Sequence, residues 1–233
     1  MSGKIFEDAR SALADVQDGV TIMSGGFGLC GNAENSIAEL YRRGVKDLTI
    51  ISNNCGNAGK GLAKLLQARQ VKKVIGSYIG GNPDLQAQML AGEVDVELNP
   101  QGTLAERIRV GGAGLGGFFT PTGVGTVVAD GKEERVLDGR RMIFETALKA
   151  DYAIVRAKVG DSFGNLRFYG TARNFSPLMV TAARIAIVEV EELVPLGELG
   201  PDDIHVPGIF VQRLFVGKNY EDPIEYRTTR PRS

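Results

Sequence analysis

The side chains that could do chemistry in this sequence are mostly amides, and they follow predicted strands. Asn53 and Asn54 follow the apolar run 48–51 after one serine, and Gln101 follows the alternating segment 93–98. Because the carboxyl ends of parallel strands share one edge of a sheet, we expect these amides to converge there. Amide N–H groups, without histidine or metal, suit stabilisation of a developing oxyanion better than proton transfer.

A glycine loop, Gly26-Phe27-Gly28-Leu29-Cys30-Gly31, lies between a predicted strand and a predicted helix. This is the setting of a dinucleotide-binding fingerprint, which also requires an acidic residue at the end of the second strand. Here that strand ends in Ser52-Asn53-Asn54, and the bulky Phe27 would lie where backbone should approach pyrophosphate. A nucleotide-dependent oxidoreductase is therefore the weaker alternative, and a tight turn allowed by the glycines is the plainer one.

No nucleophile with an activating base is evident. The sequence has one histidine, His205, so a Ser or Cys triad would have to recruit it from near the C-terminus. A structural zinc site is not expected either, because no other soft ligand lies near His205. Cys30 and Cys55 are predicted to be free thiols in a reducing compartment. The missing reactive group is therefore expected from another chain.

Charge and hydropathy exclude several classes of partner. Lys+Arg 27 balance Asp+Glu 28, which gives no reason to expect nucleic acid or a membrane surface. The segment 1–17 lacks the apolar centre of a signal peptide, and no apolar run approaches the roughly 18 residues that span a bilayer. These features predict a cytoplasmic protein.

Apolar runs alternate with helical patterns along the first 110 residues. This alternation predicts an α/β fold, an open and mostly parallel sheet with helices on both faces, and an antiparallel β insertion is expected in it. No inter-domain linker stands out, so one domain over 1–233 is expected. Residues 111–125 are too glycine-rich for any regular element and are predicted to form a functional loop. Asp130-Gly131-Lys132 predicts a hairpin between strands 126–129 and 134–137, and 219–233 is predicted to be an exposed arm. The other predicted elements are an N-terminal helix, strands at 20–23, 48–51, 74–79, 152–155, 165–169 and 185–188, and helices at 33–43, 62–69, 84–91, 103–109 and 176–183.

Several long motifs, in order, carry a resemblance to a known family. They are Gly25-Gly26-Phe27-Gly28-Leu29-Cys30-Gly31, Ser52-Asn53-Asn54, Val96-Glu97-Leu98-Asn99-Pro100-Gln101-Gly102-Thr103-Leu104, Gly111-Gly112-Ala113-Gly114, Phe119-Thr120-Pro121-Thr122-Gly123, Ala172-Arg173-Asn174-Phe175, Val188-Glu189-Val190-Glu191-Glu192 and Ile204-His205-Val206-Pro207. Together they resemble family I CoA transferases, and in particular the A (alpha) subunits of the two-subunit members. The likeness covers nearly the whole chain.

The resemblance implies a ping-pong transfer of CoA from succinyl-CoA to a 3-oxo acid. Acetoacetate is the expected acceptor, with 3-oxoadipate or acetate and butyrate as alternatives. In this family a glutamate carboxylate in the B half forms an acyl anhydride and then a glutamyl-CoA thioester. The one Glu-Asn pair here, Glu34-Asn35, lies in a predicted helix and is followed by Ser36 rather than Gly. The resemblance therefore implies a hetero-oligomer whose B (beta) subunit supplies the glutamate.

Matching the motifs implies roles for particular residues. Gln101 would donate to the oxyanion, and Asn53 and Asn54 would orient the substrate or the nucleophile. The expected substrate-binding residues are Gly25, Gly26, Phe27, Gly28, Gly112, Ala113 and Gly114. No metal and no permanently bound cofactor are expected, since the CoA thioester is itself a substrate. Departures from the family pattern at Ser24, Ala33 and 80–84 concern substrate choice more than reaction type. A non-catalytic module that keeps the fold is a further alternative.

Overall fold

The structure, a computed structural model, describes residues 3–222. Its strands are β1 (Thr21–Ser24), β2 (Leu48–Ile51), β3 (Val71–Gly76), β4 (Asp95–Leu98), β5 (Gly117–Thr120), β6 (Glu134–Leu137), β7 (Arg140–Thr146), β8 (Ala150–Asp161), β9 (Leu166–Arg167), β10 (Ala183–Val194) and β11 (Arg213–Val216). Its α-helices are α1 (Ala9–Ala12), α2 (Glu34–Arg43), α3 (Ala63–Gln67), α4 (Pro83–Leu90), α5 (Gln101–Gly112) and α6 (Ser176–Ala182). Four short 3₁₀ turns complete the described elements.

The main sheet has eight strands. Seven run parallel in the order β11-β10-β8-β1-β2-β3-β4, and the short β9 pairs antiparallel with β8. The strand order reverses direction at β1, whose neighbours are β2 and β8. In open α/β sheets, ligands bind outside the carboxyl ends of the strands at such a reversal. The predicted fold class is confirmed.

Both faces of this sheet are buried. Neighbouring residues of a strand point to opposite sides of the sheet, and helices cover each side. One core contains Ile22, Ile50 and Val74 under the apolar residues of α2, α3 and α4. The other contains Met23, Ile51 and Ile75 under α5 and α6. Continuous burial on two faces explains why the central strands β1, β2 and β8 are apolar runs, whereas the edge strand β4 alternates.

A second, three-stranded antiparallel sheet has the order β5-β7-β6. Its hairpin joins β6 to β7 through Asp138 and Gly139, both with positive φ, as a two-residue turn of the favoured hand requires. The hairpin predicted at Asp130-Gly131-Lys132 was therefore wrong, and 127–129 form a 3₁₀ turn instead of a strand. Asp130-Gly131 and Asp138-Gly139 are both Asp-Gly pairs, and the prediction placed the turn at the first of them instead of the second.

The structure also corrects the predicted loop over 111–125. Helix α5 continues through Gly111 and Gly112, and β5 begins at Gly117. A Cβ on Gly111 would overlap the Leu148 carbonyl, and one on Gly112 would overlap the Thr181 side chain of α6. These glycines are in the helix because they allow close packing. The N-terminal helix is confined to Ala9–Ala12.

The described part of the predicted C-terminal arm is bound to the body of the protein. The backbone N–H groups of Glu221 and Asp222 donate to the Glu34 carboxylate at the start of α2, at 2.8 and 3.1 Å. The rest of the predicted arm, 223–233, lies outside the described residues, and the single domain over 1–233 stays a prediction. Within 3–222 no helix is long and apolar enough to cross a bilayer.

Candidate functional site

Polar groups follow four neighbouring strands at the carboxyl edge of the sheet. The glycine loop 25–31 follows β1, Asn53 follows β2 by one residue, Ser77 follows β3 and Gln101 begins α5 after β4. Because β1, β2, β3 and β4 are adjacent and parallel, their ends bring these residues together. The predicted convergence of Asn53 and Gln101 is seen in the structure, and Ser77, which the sequence did not single out, lies between them.

A chain of hydrogen bonds orients the amides. Asn53 is 4% exposed, and its Oδ1 accepts from the N–H of Gly28 at 3.3 Å. A backbone N–H can only donate, so this contact decides which end of the Asn53 amide is oxygen. Its Nδ2 then donates to Gln101 Oε1 at 2.8 Å and to Ser77 Oγ at 3.1 Å. The Nε2 group of Gln101 therefore points away from Asn53, and Gln101 itself is exposed.

The glycine loop is held by Asn174, which sequence reasoning did not assign to the site. Its Oδ1 accepts from the N–H of Gly26 at 2.9 Å, and its Nδ2 donates to the carbonyl of Ala172 at 2.8 Å. Inside the loop, Phe27 and Cys30 exchange two backbone hydrogen bonds, while the Phe27 side chain is 51% exposed at the edge. Gly26 has φ +132°, a backbone angle that residues with a side chain rarely adopt.

The N-terminus of α2, where a dinucleotide fingerprint would place its pyrophosphate, is occupied from within the chain. The fully buried Glu189 carboxylate accepts from the N–H of Ser36 at 2.8 Å, from Ser36 Oγ at 2.9 Å and from the N–H of Asn35 at 3.3 Å. Burial raises the pKa of Glu189 to about 7, although these hydrogen bonds oppose the rise. A second anion has no place there, which disfavours the nucleotide-binding alternative.

The remaining predicted site residues are not all brought together. Asn54 is 4% exposed and donates to the carbonyl of Gly56 at 3.5 Å, a contact within its own turn. Gly112, Ala113 and Gly114 lie at the other end of α5 from Gln101, about 16 Å along a twelve-residue helix. In this chain residues 112–114 therefore line a different region from the glycine loop. Gly25 donates to the carbonyl of Ile154 in β8.

Two groups that could act as a nucleophile or base, Cys55 and His205, are held in other roles. Burial raises the pKa of the Cys55 thiol to about 12, which keeps it protonated. The Nδ1 of His205 accepts from the N–H of Phe168 at 3.0 Å, and burial, followed by the charges of Arg173 and Arg167, lowers its pKa. Within 3–222 no group of three or more His, Cys, Asp or Glu side chains could hold a metal ion. The edge therefore offers hydrogen-bond donors.

The electrostatics of this edge favour negative charge. Helix α5 begins at Gln101 with Pro100 as its N-cap, and no side chain caps it. The first N–H groups of a helix carry a partial positive charge and seek acceptors. Together with Gln101 Nε2, they form a donor surface that fits a carboxylate or a developing oxyanion.

Comparisons with known proteins show similarity over nearly the whole chain. The sequence family described as Coenzyme A transferase matches residues 6–217. The A subunit of succinyl-CoA:3-ketoacid coenzyme A transferase from Helicobacter pylori is 52% identical over 227 residues, which are 97% of this chain and 98% of that protein. The protein from Bacillus subtilis named as probably the same subunit is 50% identical over 231 residues, covering 99% and 97%.

Two further comparisons involve longer chains. Human succinyl-CoA:3-ketoacid coenzyme A transferase 2, mitochondrial, is 45% identical over 246 residues, which cover 98% of this chain and 48% of that protein. The crystal structure of the acyl-CoA transferase YdiF from Escherichia coli O157:H7, in a thioester complex with CoA, superposes with a TM-score of 0.84 at 20% identity. That match covers 98% of this chain and 52% of the YdiF chain, and it shows the fold.

Proposed function

The chain belongs to the coenzyme A transferase family, and from this premise we propose that it is the A (alpha) subunit of a succinyl-CoA:3-ketoacid CoA transferase. The full-length likeness to subunits of that name supports the assignment. Acetoacetate is the expected acceptor. Transfer to 3-oxoadipate, acetate or butyrate would use the same chemistry and stays an alternative.

The observation that carries this proposal is the orientation of Gln101. Its Oε1 accepts from Asn53 Nδ2 at 2.8 Å, so its Nε2 hydrogens face the open edge. A donor held in this way costs little reorganisation when charge develops on a reacting carbonyl oxygen. Asn53 is in turn held by the N–H of Gly28. Gln101 thus acts as the oxyanion donor, and Asn53 orients it.

The nucleophile comes from the partner. The Glu34 carboxylate accepts from two backbone N–H groups and lies 3.4 Å from Arg156, so this Glu-Asn pair is in structural use. In the B subunit, a glutamate carboxylate attacks the carbonyl of succinyl-CoA and expels CoA thiolate, which leaves an acyl-glutamyl anhydride. The thiolate then attacks the glutamyl carbonyl, which releases succinate and forms a glutamyl-CoA thioester.

The acceptor acid repeats these steps in reverse. Its carboxylate attacks the glutamyl thioester to form a new anhydride, and the released thiolate attacks the acceptor carbonyl and frees the glutamate. Each step passes through a tetrahedral carbon that bears an oxyanion. The role of this chain is to donate hydrogen bonds to that oxygen from Gln101 and to line the pocket with the glycine loop, including Gly25, Gly26, Phe27 and Gly28.

The test is co-expression with a B subunit, followed by an assay of CoA transfer from succinyl-CoA to acetoacetate. In the assembled pair, Gln101→Ala should lower kcat about a hundredfold, as loss of other oxyanion donors does. Gln17→Ala, at an exposed glutamine near the N-terminus, is the matched control and should be unchanged. A correctly assembled wild-type pair that is inactive with every short carboxylic acid would contradict the proposal.

The partner and the location are part of the same proposal. A hetero-oligomer with a B subunit would complete the pocket, to which the described residues near Gln101 contribute hydrogen-bond donors. Gly112, Ala113 and Gly114, remote from Gln101 in this chain, would reach substrate only through such an assembly. The cytoplasmic location stays a prediction.

A further inference from the structure

Ser77 is the first residue after β3 and lies between Asn53 and Gln101. Its Oγ is in hydrogen-bond contact with Gln101 Oε1. The same oxygen lies 3.1 Å from the backbone carbonyl of Asn53 and accepts from Asn53 Nδ2 at 3.1 Å. A hydroxyl has one proton to donate, so these contacts decide where that proton goes.

The proton is directed to Gln101. The backbone carbonyl of Asn53 already accepts from the N–H groups of Ser77 and Tyr78, at 3.0 and 3.1 Å. Those two donors match the two lone pairs of a carbonyl oxygen, which leaves no good acceptor there for the hydroxyl. Gln101 Oε1 has one lone pair filled by Asn53 Nδ2 and one left for Ser77.

With both lone pairs of Oε1 occupied, the orientation of the whole Gln101 amide is fixed. If the Gln101 amide rotated by half a turn, its Nε2 would face Nδ2 of Asn53, a donor against a donor. With Asn53 as the only partner, the amide could still swing about a single contact. The second contact from Ser77 holds the plane of the amide, so that its N–H groups are aimed at one point.

We propose that Ser77 is a positioning residue, which acts through Gln101 by donating to its Oε1 and thereby aims the amide N–H groups at the oxyanion. This inference rests on the proposed function, since it requires that Gln101 donates to the reacting oxygen. In this role Ser77 acts on the Gln101 amide and makes no contact with the substrate itself. Its removal therefore affects the transition state, where the charge develops, more than it affects substrate binding.

The experiment is a double-mutant cycle on the complex assembled from both subunits. Ser77→Ala should lower kcat about three- to tenfold, the value of one hydrogen bond, with little change in KM. In the Gln101→Ala background the same substitution should change kcat by less than about twofold, because the residue through which it acts is gone. Ser77→Thr keeps the hydroxyl and should restore most of the activity.

Other outcomes overturn the inference. An equal loss on Ser77→Ala in both backgrounds would show that Ser77 acts independently of Gln101, and an unchanged kcat would show that the contact is idle. If Ser77→Ala does not assemble, Ser77→Cys is used in its place, since a thiol is a weak donor of similar size and the same two readouts apply. An inactive wild-type pair would remove the proposed function itself, whereas an active pair with an additive cycle would remove only the role of Ser77.

Discussion

Replacing Glu189 by glutamine should change how the stability of this protein depends on pH. Glu189 lies in the middle of β10 with none of its surface exposed, and the N–H groups of Asn35 and Ser36 bind its carboxylate. Burial raises its pKa to about 7 from an ordinary value of 4.5. The folded protein therefore holds a proton on this group over a range of pH in which the unfolded chain has lost it.

The sign and size follow from that difference. Between about pH 4.5 and pH 7 the folded state binds more protons than the unfolded state, so the free energy of unfolding falls as the pH rises. Integrated from pH 5 to pH 8, this one group lowers the free energy of unfolding by roughly 2 to 3 kcal/mol. Above the folded-state pKa the loss is complete. Glu189→Gln removes the charge, so its stability should lack this decline.

The measurement is urea unfolding of the full chain, followed by far-UV circular dichroism at pH 5, 6, 7 and 8. The difference in the free energy of unfolding between Glu189→Gln and wild type should move in favour of the variant as the pH rises. Glu192→Gln, at an exposed carboxylate on the same strand, should follow the wild-type curve. Parallel curves for wild type and Glu189→Gln over pH 5 to 8 would refute the reasoning.

Two further changes test the packing around the site. Gly26→Ala should lower the free energy of unfolding by about 1 to 3 kcal/mol. The φ of this residue is +132°, and the new methyl group would overlap the Asn32 side chain. Gly102→Ala, in the first turn of α5 with open space around it, should be neutral or stabilising by up to about 1 kcal/mol in the same unfolding assay. Arg107→Ala should lower the free energy of unfolding by about 3 kcal/mol and speed hydrogen exchange in β7, since it removes a buried guanidinium that binds β4 and β7. Arg109→Ala, which breaks an exposed pair on the same helix, should cost less than about 1 kcal/mol, and an equal loss from both arginines would contradict this account.

The convergence of Asn53 and Gln101 was predictable because it depends on one general property of parallel sheets. Two residues that each follow a strand of one parallel sheet lie at the same carboxyl edge, whatever the sequence between them. Only β3 separates β2 from β4, so the two strand ends are near enough for the side chains of Asn53 and Gln101 to make contact, at 2.8 Å. That neighbour relation was itself implied by the regular order of strands and helices up to residue 110.

Ser77 was missed because of a strand boundary. The apolar pattern placed a strand over 74–79, so Ser77 was assigned to its interior, whereas β3 ends at Gly76. Had the strand been predicted to end at Gly76, Ser77 would have been identified, like Asn53 and Gln101, as a polar residue that follows a strand. Strand ends are set by hydrogen bonds to neighbouring strands, and a local apolar pattern does not contain that information.

The segment from Gly111 could not have been predicted from local propensity. Glycine disfavours a helix interior by about 1 kcal/mol, so Gly111 and Gly112 argue for a loop. Their presence in α5 is explained by α6, whose Thr181 side chain occupies the space that a Cβ on Gly112 would need. The reason for these glycines is a contact with a distant part of the sequence, and it becomes visible only when both helices are placed on the sheet.

The two long helices that begin at the carboxyl edge use their N-termini in opposite ways. The first N–H groups of α2 are satisfied by the buried Glu189, so α2 contributes structure and has no donor left for a ligand. Helix α5 begins at Gln101 without a capping side chain, and the Gln101 amide also has its acceptor filled and its donors free. Donors left without acceptors in the chain itself are the groups that an approaching carboxylate would satisfy. A nucleophilic carboxylate and an oxyanion derived from a thioester are both anions of this kind. The carboxyl edge therefore keeps free donors at α5, while those at α2 are already bound by Glu189. This arrangement fits acyl transfer, with the nucleophile supplied by a partner, better than it fits binding of a dinucleotide.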